Sequence, residues 1–234
     1  MRPYMSCELP VCEIFDSIEG EGKRAGVLAT FIRLAGCNLR CKYCDTTYAF
    51  TGGEPMSIED IAAKVHYNRV TLTGGEPLIH DIRPLLDALS CREVNIETNG
   101  SINVEPLFMY PQVFFTIDYK CGASGMSDKM CDNNFRNMRK RDVLKFVVGS
   151  REDLEQVLDV YKKYYSNLRN RRIYLSPVFG EIEPSELVDF LKKHNLWTWH
   201  VQLQMHKFIW DPNTRGVCTY EQDSKPKRGG KGRA

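Results

Sequence analysis

Three cysteines, Cys37, Cys41 and Cys44, stand within the nine residues GCNLRCKYC in a C-x3-C-x2-C spacing. Three thiolates on one short loop can converge on a single inorganic centre. A structural zinc site takes four tetrahedral ligands, and no second C-x2-C knuckle or nearby His pair completes such a set here. A cubane iron-sulfur centre held by three cysteines keeps one iron open for a substrate or cofactor, whereas ferredoxins close it with a fourth. The spacing favours the open-site cluster, with structural zinc and unrelated thiols as the alternatives. The chain has nine cysteines and begins MRPYMSCELP, without a basic start and apolar run. An odd count and no export signal fit a disulfide scaffold poorly, so Cys7, Cys12, Cys91, Cys121, Cys131 and Cys218 read as plain thiols.

Other groups invite chemistry more weakly. In TLTGGEPL, Gly74 and Gly75 permit close backbone approach, although a GGEP alone is equally an ordinary strand-to-helix turn with Pro in the first turn. SIEGEG, from Ser17 to Gly22, is either a flexible acidic turn or a cradle whose carboxylates accept from a ligand. Arg33 offers a bidentate fork to a carboxylate, or simply lies outward on its strand. Glu97, Thr98, Asn99 and Gly100 end an apolar run as an Asn-Gly turn. Five histidines are present, and His66, His80, His194 and His200 read as structural hydrogen-bonders.

These residues need a scaffold. Short runs rich in β-branched and aromatic residues predict strands at Val11–Phe15, Ala29–Leu34, Val70–Thr73, Val94–Thr98, Val113–Asp118, Val143–Val148, Ile173–Ser176 and Trp199–Gln204. Helical spacing lies between them, most clearly in SREDLEQVLDVYKKYY, where Leu154, Val157, Leu158 and Tyr161 recur behind a cap-like Ser150. SIEDIAAKVHY from Ser57, PLIHDIRPLLDAL from Pro77 and PSELVDFLKKH from Pro184 are further helix candidates. Alternating strand and helix imply an α/β fold with parallel strands, whose ligands collect at the strands' carboxyl ends. A partial barrel and an open doubly wound sheet both satisfy the pattern.

The chain has 234 residues, 42% of them hydrophobic and 26% charged, which suits one soluble domain without a spanning segment, expected in the cytoplasm. A net charge of +2 argues against a membrane or nucleic-acid partner for the body. The positive excess sits in the last twenty residues, where Arg215, Lys225, Lys227, Arg228, Lys231 and Arg233 face only Glu221 and Asp223. Residues 215–234 are therefore expected to be a disordered basic tail on a core of residues 1–214, with a nucleic-acid contact left open for the tail alone.

The cysteine loop followed by TLTGGEPL resembles the radical S-adenosylmethionine (SAM) superfamily. The longer order FDSIEGEGKRAGVLATFIRLAGCNLRCKYCDTTYAF, TLTGGEPL, NIETNG, TIDYKCGASG, VLKFVV and VQLQMHKFIW is similar to its 7-carboxy-7-deazaguanine synthase family, over about residues 11–217. The resemblance implies a single-domain α/β partial TIM-like barrel. It implies a [4Fe-4S] cluster on Cys37, Cys41 and Cys44, SAM on its open iron, and Mg2+ with Thr46 as a ligand, Asp45 orienting the loop. SAM would be met by Gly74, Gly75, Glu76, Glu97, Asn99, Asp118, Lys120 and Ser124. The substrate, 6-carboxy-5,6,7,8-tetrahydropterin, would be met by Ile18, Glu19, Gly20, Glu21, Arg33, Gly74 and His206, the last in a closing segment with Gln204 and Lys207. A SAM-derived radical would abstract hydrogen from that substrate, whose ring contracts with loss of ammonia. An electron donor such as flavodoxin and a homodimer belong to the same expectation. The chain departs from the family in two places: Glu19 stands where Gln is common, and Asp118-Tyr119-Lys120 where Ser-Pro-Lys is frequent. Two other readings compete, an activase that makes a glycyl radical on a partner protein and a non-catalytic metal-binding module that contacts nucleic acid.

Overall fold

A computed structural model describes residues 7–210; the basic tail and Cys218 lie outside them. Nine strands form one sheet: β1 (Glu8–Ile18), β2 (Leu28–Leu34), β3 (Glu54–Ser57), β4 (Arg69–Gly74), β5 (Glu93–Thr98), β6 (Val113–Lys120), β7 (Val143–Val148), β8 (Arg172–Pro177) and β9 (His200–Val201). Their order is β3-β1-β2-β4-β5-β6-β7-β8-β9. From β2 to β9 every pairing is parallel, while β1 runs antiparallel to both β2 and β3. The helices are α1 (Ile58–Ala63), α2 (Arg83–Ala88), α3 (Asp132–Arg136), α4 (Arg151–Lys163), α5 (Tyr165–Leu168), α6 (Pro184–Lys193) and α7 (His206–Ile209). Ser57 and Ser150 cap α1 and α4 by accepting from the backbone N–H of Asp60 and Asp153.

Strand polarity explains why this sheet encloses something. Along β4, β5, β6 and β7, Val70, Leu72, Val94, Ile96, Val113, Phe115, Ile117, Leu144 and Phe146 belong to the apolar core shared with Leu85 and Leu86 of α2, Phe135 of α3 and Val157 of α4. Apart from Phe114, the residues that alternate with them are polar and mostly buried: Thr71, Thr73, Asn95, Glu97, Thr116, Asp118 and Lys145. Side chains alternate across a strand. One face therefore carries the helices, and the other lines a hydrophilic interior, which is why these parallel strands are not the continuous apolar runs expected of a sheet buried by helices on both sides.

The structure departs from expectation in three places, the first being the helix expected from Pro77, of which Pro77–Ile79 is a 3-10 turn and only α2 is α-helical. The stretch Trp199–Gln204 yields only the two-residue β9. Strand β3 was not anticipated, because Glu54 and Pro55 are poor strand formers; proline is tolerated there since β3 is the sheet edge. The sheet is not closed. Its gap is bridged by side chain and loop, for Gln202 after β9 holds both backbone groups of Gly22 after β1, at 2.6 and 3.1 Å, and Met205 N–H donates to the Gly20 carbonyl at 3.1 Å. The result is a partial barrel. No described helix is long and apolar enough to cross a membrane.

Candidate active site

A cavity of about 520 Å³ occupies the barrel interior. Two sets of loops bound it. At the carboxyl ends of the parallel strands lies a rim made by the cysteine loop after β2, the glycine turn after β4 and the Asn-Gly turn after β5. At the opposite ends lies a floor made by residues 18–27, because β1 runs against its neighbours and delivers its following loop there.

The rim is assembled by backbone. Gly75 N–H donates to Leu34 O at 3.1 Å and Glu76 N–H to Gly36 O at 2.8 Å, which extends the β2·β4 pairing into the two loops. Gly74 has φ +150°, and a Cβ there would collide with the Leu34 carbonyl oxygen. A Cβ on Gly75 would collide with Gly36 O and press on Cys37. The Glu76 carboxylate is fully buried and accepts from Leu78 N–H (3.0 Å), the Thr98 hydroxyl (2.9 Å) and Asn99 N–H (2.6 Å), tying two rim turns together. Burial pushes its carboxyl up to about 7.

Cys37, Cys41 and Cys44 all line the cavity as free thiols. Cys37 Sγ receives Leu39 N–H at 3.4 Å and Asn99 Nδ2 at 3.9 Å, the kind of contact that stabilises a thiolate. Burial raises the Cys41 and Cys44 thiols, Cys37 adds to the rise at both, and Lys120 acts in the other direction. Three soft donors sharing one cavity-facing loop, with N–H groups aimed at sulfur, suit an iron-sulfur cluster. Thr46 also faces the cavity and donates to Asp45 at 2.9 Å; Asp45 in turn meets Lys207 at 3.4 Å. The Thr46 hydroxyl, held by Asp45, is a hard oxygen donor of the kind Mg2+ takes.

Charged side chains link rim to floor. Lys120 Nζ meets Asp118 Oδ2 at 2.7 Å, Lys145 Nζ meets Asp118 Oδ1 at 3.1 Å, and Lys145 Nζ also donates to Glu21 Oε2. Burial would raise the Asp118 carboxyl, but Lys120 and then Lys145 outweigh it and hold it below the usual range. Glu97 accepts from the Thr73 hydroxyl at 3.1 Å and faces the cavity rather than bulk water. Enclosure pushes its carboxyl up to about 7, with Lys145 opposing and Glu19 and Glu21 adding to the rise. Arg33 gives its Nε to Glu13 at 2.6 Å, and among the described residues its terminal nitrogens have no hydrogen-bond partner. His206 packs its ring on Gly20, where a Cβ would collide with it. Burial holds that imidazole below the usual histidine range.

Fifteen of the residues singled out in the sequence reach this one cavity: Ile18, Gly20, Glu21, Arg33, Cys37, Cys41, Cys44, Thr46, Gly74, Gly75, Glu97, Asn99, Asp118, Lys120 and His206. Three do not line it. Glu76 is used within the rim as described. Ser124 is buried and donates its hydroxyl to Cys121 O at 2.6 Å, while its own carbonyl accepts from Lys42 N–H of the cysteine loop. Glu19 is 1% exposed and turns its carboxylate away from the cavity to Arg24 and the Thr71 hydroxyl. Arg24 also donates to the carbonyls of Val70 and Glu93. A carboxylate at position 19 therefore answers a buried guanidinium, and the side chain is not presented to a ligand. Lys145 is the residue that sequence reading passed over; its signal was a lone cation inside the apolar run VLKFVV.

Comparison with known proteins now decides the family. The model of the Radical SAM superfamily matches residues 31–194. The chain is 44% identical over 219 residues to the 7-carboxy-7-deazaguanine synthase of Clostridium acetobutylicum, covering 88% of this chain and 98% of that one. It is 39% identical over 224 residues to the enzyme of that name from Chlorobaculum tepidum, covering 91% and 100%. The chain belongs to the 7-carboxy-7-deazaguanine synthase family of the radical SAM superfamily. The crystal structure of QueE from Escherichia coli superposes with a TM-score of 0.68 at 28% identity, over 85% of this chain and 95% of that one. The partial barrel expected from the sequence is thus the architecture of the family, cysteine loop and all.

Proposed function

We infer that the protein is a 7-carboxy-7-deazaguanine synthase, a radical SAM enzyme that converts 6-carboxy-5,6,7,8-tetrahydropterin to 7-carboxy-7-deazaguanine with loss of ammonia. The observation that carries this reading is a single cavity with the cysteine trio and glycine turn at its rim and a carboxylate-bearing loop at its floor. A [4Fe-4S] cluster on Cys37, Cys41 and Cys44 and SAM beside it supply, when bound, one-electron hydrogen-abstracting chemistry.

The chain's own residues do the rest. Gly74 and Gly75 expose backbone where the methionyl end of SAM would lie, while Asn99, Glu97, Asp118 and Lys120 furnish polar groups along its length. Arg33 turns its terminal guanidinium nitrogens to the substrate carboxylate, and Thr46, in a loop oriented by Asp45, holds Mg2+ near it. Glu21 accepts from the N–H edge of the pterin through Oε1, a buried oxygen that takes no hydrogen-bond partner among the described residues. Neutral His206 closes the opposite side over Gly20. Barrel walls and floor exclude water from the reacting centre. The reading includes a one-electron donor, a flavodoxin being the expected kind, and a homodimer.

The test is anaerobic reconstitution with iron and sulfide, then incubation with SAM, dithionite, Mg2+ and the carboxytetrahydropterin. Formation of 7-carboxy-7-deazaguanine, read by mass spectrometry, is the expected result. Brisk SAM cleavage without that product would point to an activase instead, and zinc in place of iron to a binding module.

A further inference from the structure

Lys145 belongs to none of the loops that define the site, yet it is the joint between them. It rises from the middle of β7, where register sets it beside Asp118 of β6, and it is 8% exposed. Its ammonium donates to Glu21 Oε2 on the floor and lies 3.1 Å from Asp118 Oδ1 on the wall. Glu21 Oε1 is buried and lacks a hydrogen-bond partner among the described residues, in a side chain that lines the cavity. A buried carboxylate oxygen without a donor is costly, and such an atom in a cavity marks the place of a ligand donor. With one oxygen fixed on Lys145, Glu21 can present only the other, and can only accept.

We propose that Lys145 is a positioning residue that clamps Glu21 so that a single carboxylate oxygen faces the substrate, making the floor selective for an N–H-bearing edge. The proposal rests on the pterin reading above and extends it to a residue outside the motifs. Without the ammonium, Glu21 would lose the partner that fixes its Oε2, with only Lys120 left to hold Asp118 beside it, and its carboxylate would be free to turn aside. Its free oxygen would then cease to be a fixed acceptor. A ligand that offers a carbonyl at the same place would set oxygen against oxygen and be rejected.

The experiment compares wild type, Lys145→Met, Lys145→Arg, Glu21→Gln and the double variant Lys145→Met/Glu21→Gln as reconstituted holoproteins. Three quantities are read: the anaerobic calorimetric Kd of the carboxytetrahydropterin with SAM present, kcat and KM, and substrate-free SAM cleavage. Lys145→Met is expected to raise Kd and KM about 30-fold with kcat within about 3-fold, as loss of ground-state binding requires. Substrate-free SAM cleavage should fall far less than substrate affinity, because Lys120 still holds Asp118. Lys145→Arg, which can still bridge two carboxylates, should restore Kd to within about 5-fold of wild type, and the double variant should bind no worse than Glu21→Gln, since residues acting as one unit are not additive. Unchanged Kd in Lys145→Met, additive losses in the double variant, or a fall in kcat with KM intact would each overturn the proposal. If Lys145→Met alone fails to fold, the double variant against Glu21→Gln decides: equal Kd upholds the clamp, a further loss of about 10-fold or more refutes it. If neither variant folds, Lys145 is a core ion-pair residue and the clamp is refuted. Wild type that neither binds nor converts the pterin would instead sink the functional reading itself.

Discussion

Rim and floor of the same cavity are built on different principles. The rim fixes its loops by backbone hydrogen bonds and by glycines with no room for a methyl group, as where Gly74 and Gly75 pass against Leu34 and Gly36. The floor is fixed by long side chains that reach across the barrel: Arg24 to Glu19 and three neighbouring strand groups, Lys145 to Glu21 and Asp118. A rim of this kind admits few substitutions and reads as a short motif. A floor of paired charges can exchange one pair for another and leaves no fixed pattern, which is how Glu19 can stand where relatives in the resemblance carry Gln. Steric necessity shapes the rim, and electrostatic compensation shapes the floor.

Substitutions can break that contrast at either end. Cys41→Ala should remove bound iron and lower SAM cleavage by at least about 100-fold, read by iron analysis and 5′-deoxyadenosine, with the floor's charge pairs untouched. Arg24→Met leaves the Glu19 carboxylate buried without its cation and should cost about 3–5 kcal/mol in urea unfolding, whereas Glu19→Gln, which keeps an acceptor for Arg24, should cost about 1 kcal/mol. Equal costs for the two would show that Arg24 needs the charge of Glu19 and not merely an acceptor there. Gly74→Ala drives a methyl into the Leu34 carbonyl and should cost about 3 kcal/mol; Gly52, at φ +87° with open space around it, should cost only about 1 kcal/mol on the same change. Those two differences, measured side by side, isolate crowding from backbone strain.

The smallest effect concerns pH. The Glu97 carboxyl titrates near 7 in the folded protein against an ordinary value of 4.5. A group raised in this way favours the folded state below pH 4.5 and forfeits that contribution as pH rises through 7, because burial penalises the anion. Glu97→Gln should therefore gain on wild type by roughly 1–2 kcal/mol between pH 5 and pH 8. Thermal unfolding of the metal-free proteins at the two pH values provides the check, and parallel curves would show that Glu97 is already compensated.

Much of the rim was legible in the sequence because its chemistry and its geometry share the same few residues. Cys37, Cys41 and Cys44 announce a cluster by spacing, and the glycines that let the next turn approach are adjacent in TLTGGEPL. The parallel sheet followed from alternating strand and helix. Pairings across the barrel were not legible. Nothing local to Glu19 says that it points away from the cavity, since that depends on Arg24 and on Thr71, fifty-two positions along the chain. Glu76 and Ser124 were expected at the cofactor, and in the structure their side chains hydrogen-bond within the loops themselves, an arrangement that only packing reveals. Lys145 was hidden for the converse reason: a cation in VLKFVV reads as an interruption of a core strand until the strand's other face is known to be hydrophilic. The alternation of polar and apolar residues in VTLTG, VNIET and FFTIDYK carried that information and deserved a hollow interior as its reading.

The clasp between Gln202 and Gly22 spans 180 positions of sequence. The floor loop of residues 18–27 therefore has nothing to close against until the segment from Gln202 to His206 has been made, long after the cysteine loop. Enclosure of the chamber is in this way a property of nearly the whole described chain, and a product cut short before Gln202 should keep the cysteine loop while its cavity stays open to water.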